Sequence, residues 1–230
     1  MGFSDQEIAA TLLSLEVAFW SSVLTLPVAI FCAWALARWQ FTGKVLFDSV
    51  VHLPLVLPPV VVGYALLLTF GAQRPIGAAL QHYLGITLVF NWKGAVIASA
   101  VMALPLFVRA IRISFETADR KLEAAARCLG ASRFQVFLSV TLPLSLPGII
   151  AGAILGFARS LSEFGATITF VSNVPGETQT LPLAINSLIQ VPDGEPAALR
   201  LTAISLFIGF IALILSDRAE IWLRRRVQRS

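Results

Sequence analysis

Five stretches of this chain are each apolar for about 20 residues, and that feature limits what it can fold into more than any other. They cover about residues 11–37, 51–72, 92–116 and 199–223, and a fifth starts near Leu142 and runs to about Leu161. A run of about 20 apolar residues spans a bilayer as a helix. Lipid offers no partner for an open backbone N–H or C=O, so a spanning segment must satisfy its own hydrogen bonds. Composition agrees: 57% of the 230 residues are hydrophobic and only 13% are charged, against about 25% charged in a soluble domain. The expected fold is an all-α integral membrane protein of about five transmembrane helices in a single domain, residues 1–230.

The remaining stretch, residues 163–196, is apolar in patches but interrupted by Pro175, Gly176 and Pro182. It forms either a re-entrant or periplasmic segment or a short sixth span, and in each case it lines something wet, because irregular backbone at membrane depth needs protein or water beside it.

Charge sets the orientation. Arg38, Lys44, Arg109, Arg112, Arg120, Lys121, Arg127, Arg133, Arg218, Arg224, Arg225, Arg226 and Arg229 fall on one side, while Arg74, Lys93, Arg159 and Arg200 fall on the other. Thirteen against four places the first group in the cytoplasm, with the N-terminus outside and the C-terminus inside. Trp39, Trp92 and Trp222 stand at span ends, where aromatic belts form. The start, MGFSDQEIAA, carries acids and no base, so no cleaved signal peptide is expected. The net charge of +4 comes from residues flanking apolar runs, which argues against nucleic acid as a partner. Cys32 and Cys128 lie far apart and have neither metal-site nor disulfide spacing. His52 and His82 stand near span ends and read as interfacial, without carboxylate or cysteine neighbours.

Between the spans lies a soluble island, ADRKLEAAARCLGASRFQVFLSVTLP, residues 118–143. Asp119 suits the N-cap of a first helix, on which Leu122, Ala125, Ala126 and Leu129 share one apolar face. Gly130 suits the left-handed position that ends it. Ser132 and Gln135 form a capping-box pattern that starts a second helix, continued by Phe134, Phe137 and Leu138. Within the bilayer, Gly148, Gly152 and Gly156 form a small-residue stripe that reads as a packing surface. Pro54, Pro58 and Pro59 near the start of the second run signal a kink or a boundary. Arg159 and Glu163, four apart, read first as a self-neutralising pair and second as positive potential on an anion path.

The island resembles the signature loop of ABC-importer permeases, in which EAA is followed by glycine, nine residues, an aliphatic, one residue and Leu-Pro. Gly130, residues 131–139, Val140, Thr141, Leu142 and Pro143 reproduce that spacing. The family's glutamate commonly stands six before the glycine, where this chain has Ala124, and Glu123 comes one position earlier. The resemblance implies a type I ABC importer permease fold, with an ATPase-coupling loop carried by Glu123, Ala124, Ala125, Gly130, Leu142 and Pro143. It also implies a cytoplasmic ATP-binding subunit dimer holding the ATP and Mg, a second copy of this chain, and a periplasmic or extracellular binding protein. The chain itself has no Walker A loop and so no expected cofactor or catalytic activity.

Residues 157–185, FARSLSEFGATITFVSNVPGETQTLPLAI, look like the corresponding stretch of molybdate permeases, and more loosely of sulfate and thiosulfate permeases. That resemblance implies molybdate as cargo, with Arg159, Ser160, Glu163, Thr167 and Thr169, beside Gly165, along the path. The other readings are the same machine for sulfate, thiosulfate or tungstate, and a stand-alone secondary transporter, a class that tends to show internal repeats. No added regulatory domain is expected after the last span.

Overall fold

The computed structural model describes residues 4–227, all of its regular elements being helical. Side chains beyond Ile221 and the terminus after Val227 lie outside that description, so the expectations for Trp222, Arg224, Arg225, Arg226 and Arg229 fall outside it too.

Among the described residues, four helices are each long and apolar enough to cross a bilayer. α1 (Asp5–Arg38) opens on a capping box, with Ser4 Oγ accepting from the Glu7 amide and Glu7 accepting from the Ser4 amide. The second apolar run, expected as one span over 51–72, is helical but broken: it forms α2 (Lys44–Val56) and α3 (Pro59–Phe70), bent by 113°, and the two together are long and apolar enough to count as a fifth, broken span. Both Leu57 and Pro58 precede a proline, which pushes them out of the helical region, and they adopt ψ of 142° and 134°. Pro59, lacking an N–H, then starts the new helix, where that donor is dispensable. The proline pair therefore breaks the run.

After α4 (Pro75–Leu84), α5 (Trp92–Thr117) threads the middle and is the most enclosed of the long helices. The island follows as α6 (Arg120–Cys128) and α7 (Arg133–Val136), and α7 continues through a π-helical turn, Phe137–Thr141, into α8 (Leu142–Leu161). The span expected to start near Leu142 therefore begins about two and a half turns earlier, at Arg133, and covers 29 residues. Residues 163–196 contribute α9 (Gly165–Val171) and α10 (Leu181–Leu188). At 1.5 Å per residue, neither short helix can cross, so this segment is no sixth span. α11 (Glu195–Val227) closes the bundle.

The core is a sandwich of α1, α5 and α8. Ala29, Ala33 and Leu36 of α1 meet Phe107, Ile111 and Phe115 of α5 and Ile149 of α8. The glycine stripe lies in this interface. A Cβ on Gly156 would collide with the Phe107 ring, one on Gly148 with Ser114, and one on Gly152 would press Ile111. Such close approach replaces the hydrophobic drive that lipid cannot supply between helices. Hydroxyls add bonds across the same contacts: Ser21 Oγ donates to Ser160 Oγ at 2.8 Å, and Ser14 Oγ accepts from the Leu181 amide at 2.6 Å. At the opposite end from the island, α3 and α9 pack through Gly63, whose missing Cβ makes room for Ala166 and Thr169.

Candidate functional site: the island and its anchor

The island folds as its local signals direct. Asp119 Oδ1 accepts from the Lys121 amide at 2.8 Å. At the far end of α6, the Ala131 amide donates to Ala126 and the Gly130 amide to Arg127, the bond pair of a Schellman ending. Gly130 sits at φ +92°, a left-handed backbone that glycine takes without strain. The Ser132–Gln135 capping box restarts the chain, with bonds of 3.3 and 2.8 Å.

What fastens the island to the bundle is Glu123. Its side chain is buried, the residue only 6% exposed. Arg38 Nη2, at the end of α1, donates to Glu123 Oε1 at 2.7 Å. Thr141 Oγ1, the last residue of the π turn, donates to the same oxygen at 3.0 Å. One carboxylate thus ties three segments: the end of α1, the first island helix and the entry to α8. Arg38 also reaches the Ala118 carbonyl at 3.4 Å. Removing one partner of such a buried pair leaves an uncompensated charge, at about 3–5 kcal/mol.

The other side of the island is bare. Leu122, Leu129, Phe134 and Leu138 are exposed, Leu129 at 89% and Phe134 at 70%. Of the apolar face expected of Leu122, Ala125, Ala126 and Leu129, only Ala126 is half-buried and the rest stays open; Ala124 is exposed as well. Val136 and Phe137 turn inward, Val136 buried and the Phe137 ring 4.9 Å from Trp34 and 6.3 Å from Phe115. Leu142 is half-buried and Pro143 exposed at the start of α8. The result is a rigid, capped unit, anchored through one polar knot and presenting large apolar side chains outward.

At the other end, Arg159 Nη2 lies 2.8 Å from Glu163 Oε2, with Arg159 28% exposed and Glu163 buried. Glu163 Oε1 also accepts from the Ala166 amide at 2.9 Å, so the pair caps α9. Ser160 faces α1, bonded to Ser21. Thr167 is buried with its hydroxyl unbonded, and the Thr169 hydroxyl donates to Gly165 at 2.8 Å. None of the five lines the nearby 490 Å³ cavity between α8, α10 and α11. The structure joins Arg159 to Glu163 and spreads the other three over separate contacts. It also gives His52 a carboxylate neighbour that the sequence reading overlooked, Asp48 one helical turn earlier at 3.0 Å. Arg112 of α5 bonds the same Asp48 at 3.1 Å and Glu116 at 2.8 Å.

Sequence reasoning missed Arg38 and Thr141 as functional residues. Arg38 reads as one more cytoplasmic charge at a span end, and Thr141 as the variable residue before Leu142-Pro143. A basic residue ending one apolar run and an acid at helical phase with a later apolar face was the available signal, but pairing across 85 residues is not encoded locally.

Three comparisons bear on this architecture. The chain is 56% identical over 225 residues to the molybdenum transport system permease protein ModB of Escherichia coli, covering 98% of this chain and 96% of that one. It is 56% identical over 223 residues to ModB of Haemophilus influenzae, covering 97% and 96%. The sulfate transport system permease protein CysT of Salmonella typhimurium is 33% identical over 224 residues, covering 97% and 80%. Among solved structures, a bacterial ABC transporter involved in import of alginate superposes with a TM-score of 0.70 at 18% identity over 96% of this chain and 80% of its own. The methionine ABC transporter MetNI, in inward-facing conformations, gives 0.67 at 14% identity over 94% of each. The fold expected from the island's resemblance is thus the one these transporter chains have. The binding-protein-dependent transport system inner membrane component family matches residues 25–225, and the chain belongs to that family as a multi-pass membrane transport subunit.

Proposed function

We propose that this chain is the permease subunit of an ATP-driven importer that carries molybdate across the cytoplasmic membrane. The observation that carries the proposal is the island: two capped helices, fastened by Glu123 to Arg38 and Thr141, with Leu122, Leu129, Phe134 and Leu138 left bare. Exposed apolar patches of this kind mark protein partners. A cytoplasmic ATP-binding subunit is the partner that suits the chain's family, and it holds the ATP and Mg and performs the hydrolysis. Closing of an ATPase dimer pushes the capped unit as a rigid body, and the Glu123 knot passes that push to α1 and α8 together. Glu123, Ala124, Ala125, Gly130, Leu142 and Pro143 form the coupling element. A second copy of the chain completes the pathway, and an external binding protein delivers the anion. The N-terminus lies outside and the C-terminus in the cytoplasm, following the charge asymmetry.

Molybdate as cargo is supported by the two ModB relatives at 56% identity. Arg159 is the cation of the path, paired with Glu163, and Ser160, Thr167 and Thr169 are its further residues; a cation half-neutralised by Glu163 attracts a dianion without trapping it, as conduction requires. The relative named for sulfate, at 33% identity, favours sulfate as the second reading. Reconstitution with the ATPase and binding protein, followed by uptake of radiolabelled molybdate against excess sulfate, separates them. Uptake that resists sulfate supports molybdate; uptake abolished by equimolar sulfate overturns it.

A further inference from the structure

A cavity of 330 Å³ lies where the end of α1 meets the island, and the transport reading leaves it unused. Four guanidinium groups line it, those of Arg38, Arg120, Arg127 and Arg133, against one carboxylate, Glu123. Glu123 is already engaged by Arg38 and Thr141. Among the described residues, Arg120 and Arg133 have no carboxylate within salt-bridge distance, and Arg127 reaches Glu123 only at 3.9 Å. The site therefore holds surplus positive charge in a partly enclosed space.

Arg38 adds its charge from behind, its side chain only 9% exposed and Nε and Nη1 closed to solvent. The guanidinium forks open to the cavity are those of the exposed Arg120, Arg127 and Arg133, and a guanidinium presents its donors as a planar fork that matches an oxyanion. Depth supplies the second constraint. Trp34 and Trp39 flank the cavity, their rings 5.0 Å apart, and the exposed Phe31 packs on Trp39 at 5.8 Å. Such an aromatic collar at the end of an apolar helix marks the headgroup level of a bilayer, where basic pockets meet lipid phosphates. A water occupies about 30 Å³ of liquid volume, so 330 Å³ admits a phosphate together with several waters.

We propose that this cavity is a phosphate-binding site, taking a tetrahedral oxyanion either from the headgroup of an acidic phospholipid or as the free ion. The occupant bridges Arg120 and Arg127 of α6 to Arg133 of α7 within reach of the Arg38 charge on α1, and so braces the island against the bundle alongside Glu123.

The test uses the full-length chain in nanodiscs, reading hydrogen exchange of residues 120–141. Discs containing phosphatidylglycerol should protect this segment about tenfold more than pure phosphatidylcholine discs, the protection conferred by a ligand at about ten times its Kd. Arg120→Gln, Arg127→Gln and Arg133→Gln together should abolish the difference while exchange in α5 stays as in the parent. Arg109→Gln, on an exposed arginine away from the cavity, should leave the difference intact. Inorganic phosphate added to phosphatidylcholine discs separates the sources: equal protection assigns the free ion, and none assigns the lipid headgroup. Equal exchange in both discs with no response to inorganic phosphate overturns the site. So does an effect that Arg109→Gln removes as fully as the triple variant. Should the triple variant fail to fold, Arg133→Gln alone should still weaken the protection several-fold, and full protection in that variant also overturns the site.

Discussion

The two ends of the molecule are built by opposite means. The island, residues 118–143, is made of local instructions: an Asp119 cap, a left-handed Gly130 ending and a Ser132–Gln135 capping box, all within a few residues of what they satisfy. Leu122, Leu129, Phe134 and Leu138 stay bare, and the island's polar hold on the bundle centres on one carboxylate, with Val136 and Phe137 packed inward beside it. The segment 163–196 has few such signals and is held by packing instead. Phe170, Val171, Leu181 and Leu183 are fully buried, and Gly63 and Gly94 give up their side-chain space to let α9 approach. The island is stiff within itself and joined at few points, which suits the push proposed for it, whereas the segment 163–196 takes its shape from its neighbours.

The contrast breaks first at Glu123. Glu123→Ala leaves Arg38 buried and unpaired, at about 3–5 kcal/mol, and should release the island; hydrogen exchange over 120–141 should rise by orders of magnitude while α5 keeps its protection. Unchanged exchange would show that packing, not the ion pair, holds the island. Glu163→Ala should have a smaller effect, about 1–3 kcal/mol, because Arg159 is 28% exposed and recovers water. Its mark should be faster exchange at Ala166 and in the rest of α9, with the island unaffected.

Gly156→Ala and Gly130→Ala form a matched pair. The first drives a Cβ into the Phe107 ring and should lower thermal stability through overpacking by about 1–3 kcal/mol. The second meets nothing within 4 Å and acts only through its positive φ, at about 1–2 kcal/mol. Gly130→Asn should therefore recover much of the loss, since Asn tolerates that backbone better than Ala. Equal melting of the Ala and Asn variants at 130 would remove the backbone explanation. The smallest expected effect is Ser132→Ala, about 1 kcal/mol from a lost cap, measured as local exchange at Gln135 with the melting of the bundle nearly unchanged.

Legibility followed the range of the interactions. Spans at 11–37, 92–116 and 199–223 were plain because about 20 apolar residues in lipid leave no choice but a helix, and α1, α5 and α11 contain them. The island's caps were plain because each donor and acceptor lies within five residues of its partner. In the second apolar run the prolines signal a kink, but its 113° size is set by Leu57 and Pro58, which both precede prolines and both leave the helix. The exposure of Leu122 and Leu129 was equally hidden: periodicity says that a face exists, not what it faces.

Taken alone, the sequence determined a membrane bundle, its stiff capped loop and the family resemblance that loop carries, since each rests on backbone hydrogen bonding or on short-range spacing. Only the tertiary structure decided that Glu123 meets Arg38 across 85 residues, that Gly156 makes room for Phe107, and that Ser160 and Thr167 turn to contacts apart from the Arg159–Glu163 pair. Those meetings depend on which helices become neighbours, and in lipid that is settled by close fit and matched polar groups between distant segments, not by any hydrophobic pattern within one of them.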